Sequence, residues 1–217
     1  MIKKNRFKLF SSLFIASMLS ATAAEATFTP KADSYTVKSD FSANFTASAS
    51  AVFQVDGKNH RVGTKQLPLN GKVSVSTVST PFGDAIQTEA LYGADKADYK
   101  FTLKIKQLKD LKAFTVQGIF HNHSDKNANL AVIDLFDTIG GSGSFGIADP
   151  AKWLITPLMQ HDHAKTLAEM NGSAKEVALF VNTDNDKSFL IGPAGPAEAH
   201  CRIEVRGKEI KAYAEMD

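Results

Sequence analysis

The chain has 217 residues, with 25 basic and 23 acidic side chains, a formal net charge of +2 and a single cysteine. Four of the basic residues, Lys3, Lys4, Arg6 and Lys8, precede every acidic one, so the stretch after Ala23 holds 21 basic against 23 acidic residues and a net charge of −2. That balance lacks the clustered positive charge of a nucleic-acid binder, and a lone cysteine excludes an intramolecular disulfide.

The four cations are followed by the apolar run Leu9 to Leu19 and by the small residues Ala21-Thr22-Ala23. Positive charge, a short apolar segment and a small-residue site, in that order, predict an export signal over residues 1–23 and a mature protein in the periplasm or outside the cell. The apolar run is about half of what a bilayer-crossing helix requires, so no membrane span is expected. No cysteine follows the small residues, and a lipid-anchored N-terminus is not expected either.

Residues 24–34 are small and polar with one proline, and read as a disordered lead-in to a β domain over 35–217. From Asn44 to Val55 the pattern alternates, with Ala49, Ala51, Phe53 and Val55 on one face. Asp56-Gly57-Lys58-Asn59 then supplies a reversal. In Tyr99 to Lys106 every odd position is apolar and every even one polar, which predicts a strand with one buried face. Leu130 to Phe136 is apolar on both faces apart from Asp134, as a central strand would be. Val177–Asn182 and Phe189–Ile191 flank a polar turn as a hairpin, and Arg206-Gly207-Lys208 divides two further alternating runs. In the first of these runs Cys201 alternates with Ile203 and Val205, as a small packed hydrophobe. Only Pro157 to Met170 reads as a helix, with Thr156 as cap, Pro157 at the first helical position and Gly172 beyond its end. The expected fold is therefore all-β, an antiparallel β-sandwich with at most one short helix.

No complete catalytic motif stands out. Gly141-Ser142-Gly143-Ser144-Phe145-Gly146 has the glycine spacing of a dinucleotide loop but is followed by Asp149-Pro150 instead of a helix, so no nucleotide cofactor is expected. The same stretch misses the G-x-S-x-G nucleophile elbow by one position on either side. His121-Asn122-His123 on a strand would place both imidazoles on one face, within reach of one zinc ion. It resembles the start of the H-x-H-x-D-H motif of metallo-β-lactamase-like hydrolases as far as Asp125, where Lys126 then replaces the last histidine. On a helix, His161 and His163 would diverge. A packing or solvent-facing role is the expectation for these histidines, with no metal, and a metal-binding β protein using His121 and His123 is a lesser alternative. Asp134 and Asp137 are the least expected acids, and on a regular strand they point to opposite faces, too far apart to flank one glycosidic bond.

Taken in order, Thr80-Pro81-Phe82-Gly83, the strand Tyr99 to Lys106, Phe114 to Phe120 leading into His121-Asn122-His123-Ser124, Leu130 to Leu135 and the hairpin Val177 to Gly192 resemble the N-terminal β-sandwich domain of α-galactosidase-like glycoside hydrolases of the melibiase type. In that family the catalytic aspartates lie in a (β/α)8 barrel after the sandwich, which shapes one side of the sugar pocket. Nothing in this chain resembles a barrel. The resemblance thus implies an exported, non-catalytic domain associated with carbohydrate hydrolysis, as a fragment or a stand-alone relative, with a carbohydrate and a catalytic barrel in cis as its partners and no catalytic residue of its own. The runner-up is a stand-alone carbohydrate-binding module, for which Trp153 is the one stacking anchor the sequence offers.

Overall fold

Period-2 alternation dictates most of this backbone. The computed structural model describes residues 11–16, 26–39, 44–139, 143–157, 163–175, 177–185, 187–193 and 200–216, which form two antiparallel sheets packed face to face and, among the described residues, no α-helix. The first sheet holds nine strands. From one edge these are β13 (Lys165–Thr166), β12 (Trp153–Pro157), β15 (Ala178–Asn182), β16 (Ser188–Pro193), β1 (Ser11–Ala16), β9 (Ala113–Asn122), β8 (Tyr99–Leu108), β7 (Gly83–Tyr92) and β6 (Leu69–Thr80). The second runs β14 (Asn171–Lys175), β17 (His200–Arg206), β18 (Glu209–Glu215), β10 (Asn129–Asp137), β4 (Phe45–Val55), β3 (Tyr35–Ser39) and β2 (Ala26–Pro30), with β5 (Lys58–Gly63) and β11 (Ser144–Phe145) also paired to β4.

The facing sides are those the alternation marks. Along β4 the residues Phe45, Ala47, Ala49, Ala51, Phe53 and Val55 are all buried, and along β8 so are Phe101, Leu103 and Ile105. Phe53 meets Phe120 across the sandwich at 4.5 Å between ring centroids, and Phe45 meets Phe136 edge-on at 4.4 Å. Small alanines on β4 leave room for these rings, the large-against-small complementarity that fills a core. Gly118 on β9 serves the same end. A Cβ there would stand 2.9 Å from both Ile133 Cγ2 and the Phe101 ring, so its missing side chain lets the sheets approach.

The predicted hairpins are present. Asp56 and Gly57 take φ values of 51° and 73° between β4 and β5, as a two-residue primed turn requires. β15 and β16 pair through Phe180 and Phe189, whose rings stack at 4.6 Å, and Gly207 turns β17 into β18 at φ 59°. Cys201 lies partly buried against the core with Ile203 and Val205 buried beyond it.

Two expectations are corrected. Pro157 ends strand β12 and Lys165–Thr166 is strand β13, so the helix expected from Pro157 to Met170 does not form over its described residues; 158–162 lie outside them. The alternation Trp153, Ile155, Pro157 inward and Leu154, Thr156 less so wins over a proline that suits either element. Residues 26–30, expected as a disordered lead-in, pair with β3 as β2, where Phe28 packs edge-on against Tyr35 at 5.6 Å. Ser11–Ala16, inside the apolar run expected as an export leader, pairs with β9 on one side and β16 on the other.

Candidate functional site

A β-bulge builds the most charged feature of the molecule. On β10, Asp134 pairs with Tyr213 of β18 and Phe136 with Ala212, so Leu135 is an extra residue with no partner on that strand. One extra residue reverses the alternation beyond it. Asp137 consequently pairs with Lys211 and Ser48 while Asp134 pairs with Tyr213 and Ser50. Lys211 and Tyr213 share a face, as do Ser48 and Ser50, so both aspartates turn to the same outer face of the second sheet. The expectation of opposite faces is overturned by that single inserted residue.

The Asp134 side chain is 1% exposed, yet it is well accompanied. Its Oδ2 accepts from Arg61 Nη1 at 2.6 Å and from Ser50 Oγ at 3.1 Å, and Arg61 Nη1 also donates to Ser50 Oγ at 2.8 Å. Lys211 Nζ lies 3.0 Å from Oδ1, a close ion pair that lacks the alignment of a hydrogen bond. The same ammonium sits 5.0 Å over the Tyr213 ring, a cation–π contact. Asp137 accepts from the Ile139 N–H at Oδ1, 2.9 Å away. Burial pushes its carboxyl above the ordinary aspartate range and the neighbouring Asp134 charge adds to this, while the Ile139 N–H, Lys211 and Arg61 pull the other way. Further along the same face Arg202 Nε meets Glu215 Oε2 at 2.5 Å, and Arg206 meets Glu204 at 2.5 Å.

Both oxygens of Asp134 are committed to Ser50, Arg61 and Lys211, so the group ties together β4, β5, β10 and β18. Behind it, the fully buried Tyr35 donates its hydroxyl to the Leu135 carbonyl at 2.6 Å, satisfying an oxygen at the bulge. Desolvation, with smaller contributions from Tyr92 and Asp137, raises that phenol well above its usual range.

The other sequence-derived candidates lie elsewhere. His121 and His123 sit at the end of β9 with parallel rings 6.0 Å apart, and His121 Nε2 is 2.9 Å from Thr102 Oγ1. Among the described residues no group of three or more His, Cys, Asp or Glu side chains gathers as a metal site, and the remote His163 is exposed. His161 and Asp162 lie outside the described residues. Trp153, named as a sugar-stacking anchor, is 6% exposed and packs against Phe189 with ring centroids 5.5 Å apart, so its ring is given to the core. In the glycine-rich stretch, Gly140, Gly141 and Ser142 lie outside the described residues. Gly143 lies so close to the Thr46 carbonyl that a Cβ would collide with it, and Ser144–Phe145 pair with β4. Its glycine serves strand packing.

Arg61 and Lys211 were not singled out from the sequence. Asp134 interrupting an apolar strand signals a need for counter-ions, but its guanidinium partner stands 73 residues away and no spacing rule selects it. No family model, no curated protein and no solved structure matches the chain significantly.

Proposed function

We propose that this chain is an exported, non-catalytic β-sandwich domain associated with carbohydrate hydrolysis, acting beside a catalytic barrel with which it contacts a carbohydrate. The reading draws on the leader-like N-terminus and on the melibiase-type order of strands and turns. It is carried by one observation above all. The two acids best suited to chemistry, Asp134 and Asp137, spend their hydrogen bonds on the fold, on Arg61 and Ser50 in one case and the Ile139 N–H in the other. Acids nearer the surface are similarly occupied, with the half-buried Glu89 bound to Lys104 at 2.8 Å and the exposed Asp56 to Lys126 at 2.7 Å.

The test is hydrolysis of aryl α-galactosides and related aryl glycosides by the purified chain, with Asp137→Asn alongside. Release of the aryl group at the rate of the protein-free blank is the expected result. Turnover by the wild type that Asp137→Asn abolishes would refute a non-catalytic domain.

A further inference from the structure

A sheet edge is a row of unpaired backbone donors and acceptors, and folded proteins blunt such rows by shortness, charge, proline or cover. Most edges here are blunted. β13 and β11 have two residues each, β14 has five, β2 has five and ends on Pro30, and β5 carries Lys58 and Arg61. The exception is β6, a twelve-residue strand at the end of the first sheet, joined to β7 through Val73–Thr80 and without a strand on its other side among the described residues.

Its one charged residue is Lys72, which stands before the regular stretch Val73–Thr80, at the register shift between Leu69 and Val73. From Val73 to Gly83 there is no charged residue, and Val73 to Thr80 consists only of valine, serine and threonine. The apolar surface gathers at the same place. Among the described residues the exposed large hydrophobics are Val73 and Val75 on β6, Ile86 on β7, Phe82 in the turn between them and Leu111 in the turn after β8. Val75 is 67% exposed and Phe82 56%. Register explains why. Val75 pairs with Thr88, which pairs with the buried Ile105, so Val75 stands on the core-facing side of the first sheet, where the second sheet no longer covers it.

We propose that β6 is the contact edge of a symmetric homodimer, in which β6 of one copy pairs antiparallel with β6 of a second copy and the two nine-stranded sheets join into one. A second copy is the occupant that this edge fits. Two-fold pairing of a strand with itself requires self-complementarity, and every antiparallel register within Val73–Thr80 sets only Val, Ser and Thr opposite one another, with no like charges to repel. Such residues favour the pleated, half-buried surface that pairing creates. The uncovered strip of Val73, Val75 and Ile86 in one copy then continues into that of the other, and the two-fold closes the assembly at two chains.

Sedimentation velocity on the full chain over a range of micromolar concentrations tests this. The expected result is a reversible monomer–dimer equilibrium, with association weakened at least about tenfold in favour of monomer by Val75→Lys and by Thr77→Lys, since each sets like charges near the two-fold. Both positions are exposed, and unchanged far-ultraviolet circular dichroism and melting temperature would confirm that the variants fold. A monomer at all concentrations, a dimer indifferent to both lysines, or open-ended polymers would overturn the proposal. None of these outcomes bears on glycoside turnover, so this proposal and the proposed function fail separately.

Discussion

Replacing Asp134 by alanine removes a carboxylate that is 1% exposed and serves three partners at once. A charge-assisted hydrogen bond contributes about 1.5–3 kcal/mol, and breaking a fully buried ion pair costs about 3–5 kcal/mol. Neither figure applies whole, because the Arg61 and Lys211 side chains are 45% and 20% exposed and regain water when their partner goes. Ser50 Oγ also keeps its bond from Arg61. The net expectation for Asp134→Ala is a loss of about 2–4 kcal/mol. At a urea m-value of about 2 kcal/mol/M, this lowers the unfolding midpoint by roughly 1–2 M. Lys211→Met leaves Asp134 Oδ1 without its cation while Arg61 still holds Oδ2, and is expected to cost about 2 kcal/mol. Because the two side chains share one interaction, the double variant should fall short of the sum by at least about 1 kcal/mol. Urea titrations followed by fluorescence of Trp153, which lies in the core, provide the measurement. An Asp134→Ala midpoint indistinguishable from wild type, or strict additivity in the double variant, would refute the reading of this cluster as a structural clamp.

Tyr35→Phe removes the hydroxyl that donates to the Leu135 carbonyl inside the core, and calorimetry should register a destabilisation of about 1–3 kcal/mol for an unsatisfied buried acceptor. Gly118→Val drives a side chain into Ile133, Phe101 and Leu135, so a loss of about 1–3 kcal/mol or more is expected in urea unfolding. Asp137 titrates above its ordinary range in the folded chain because burial disfavours its charge, so it binds its proton more tightly folded than unfolded. Its contribution is full below the unfolded pKa and is lost as pH rises through the folded value. Asp137→Asn retains an acceptor for the Ile139 N–H, and its stability relative to wild type should improve between about pH 3 and pH 7; a decline over that interval would contradict the assignment.

The sandwich was readable wherever a strand is wet on one side. Tyr99 to Lys106 and Ala49 to Val55 announce their buried faces because solvent and core demand opposite chemistry at alternate positions. Pro157 to Met170 misled because proline at a first helical turn and glycine past a last one are also tolerated at strand ends, so punctuation without a full apolar stripe does not choose between them. The bulge at Leu135 left no mark in spacing. It exists because β10 must satisfy both β4 and β18, a tertiary demand that local pattern does not encode, and it alone decides that Asp134 and Asp137 face the same way. Ala26–Pro30 becomes a strand through pairing with β3, which its short polar sequence does not advertise. Aromatic character drew attention to Trp153, but whether a ring faces solvent depends on the strand register around it.

The first sheet is whole only because Ser11–Ala16 is wedged into it, with Ser11–Ala16 matched to Ala113–Gly118 on one flank and Leu13–Ala16 to Leu190–Pro193 on the other. Cleavage after Ala23 would therefore pull the fifth of nine strands out of this sheet, leaving two half-panels with freshly bared flanks. Amide exchange along 113–118 and 190–193, compared before and after proteolytic trimming, would report whether those flanks stay bare, close on each other or take in another strand.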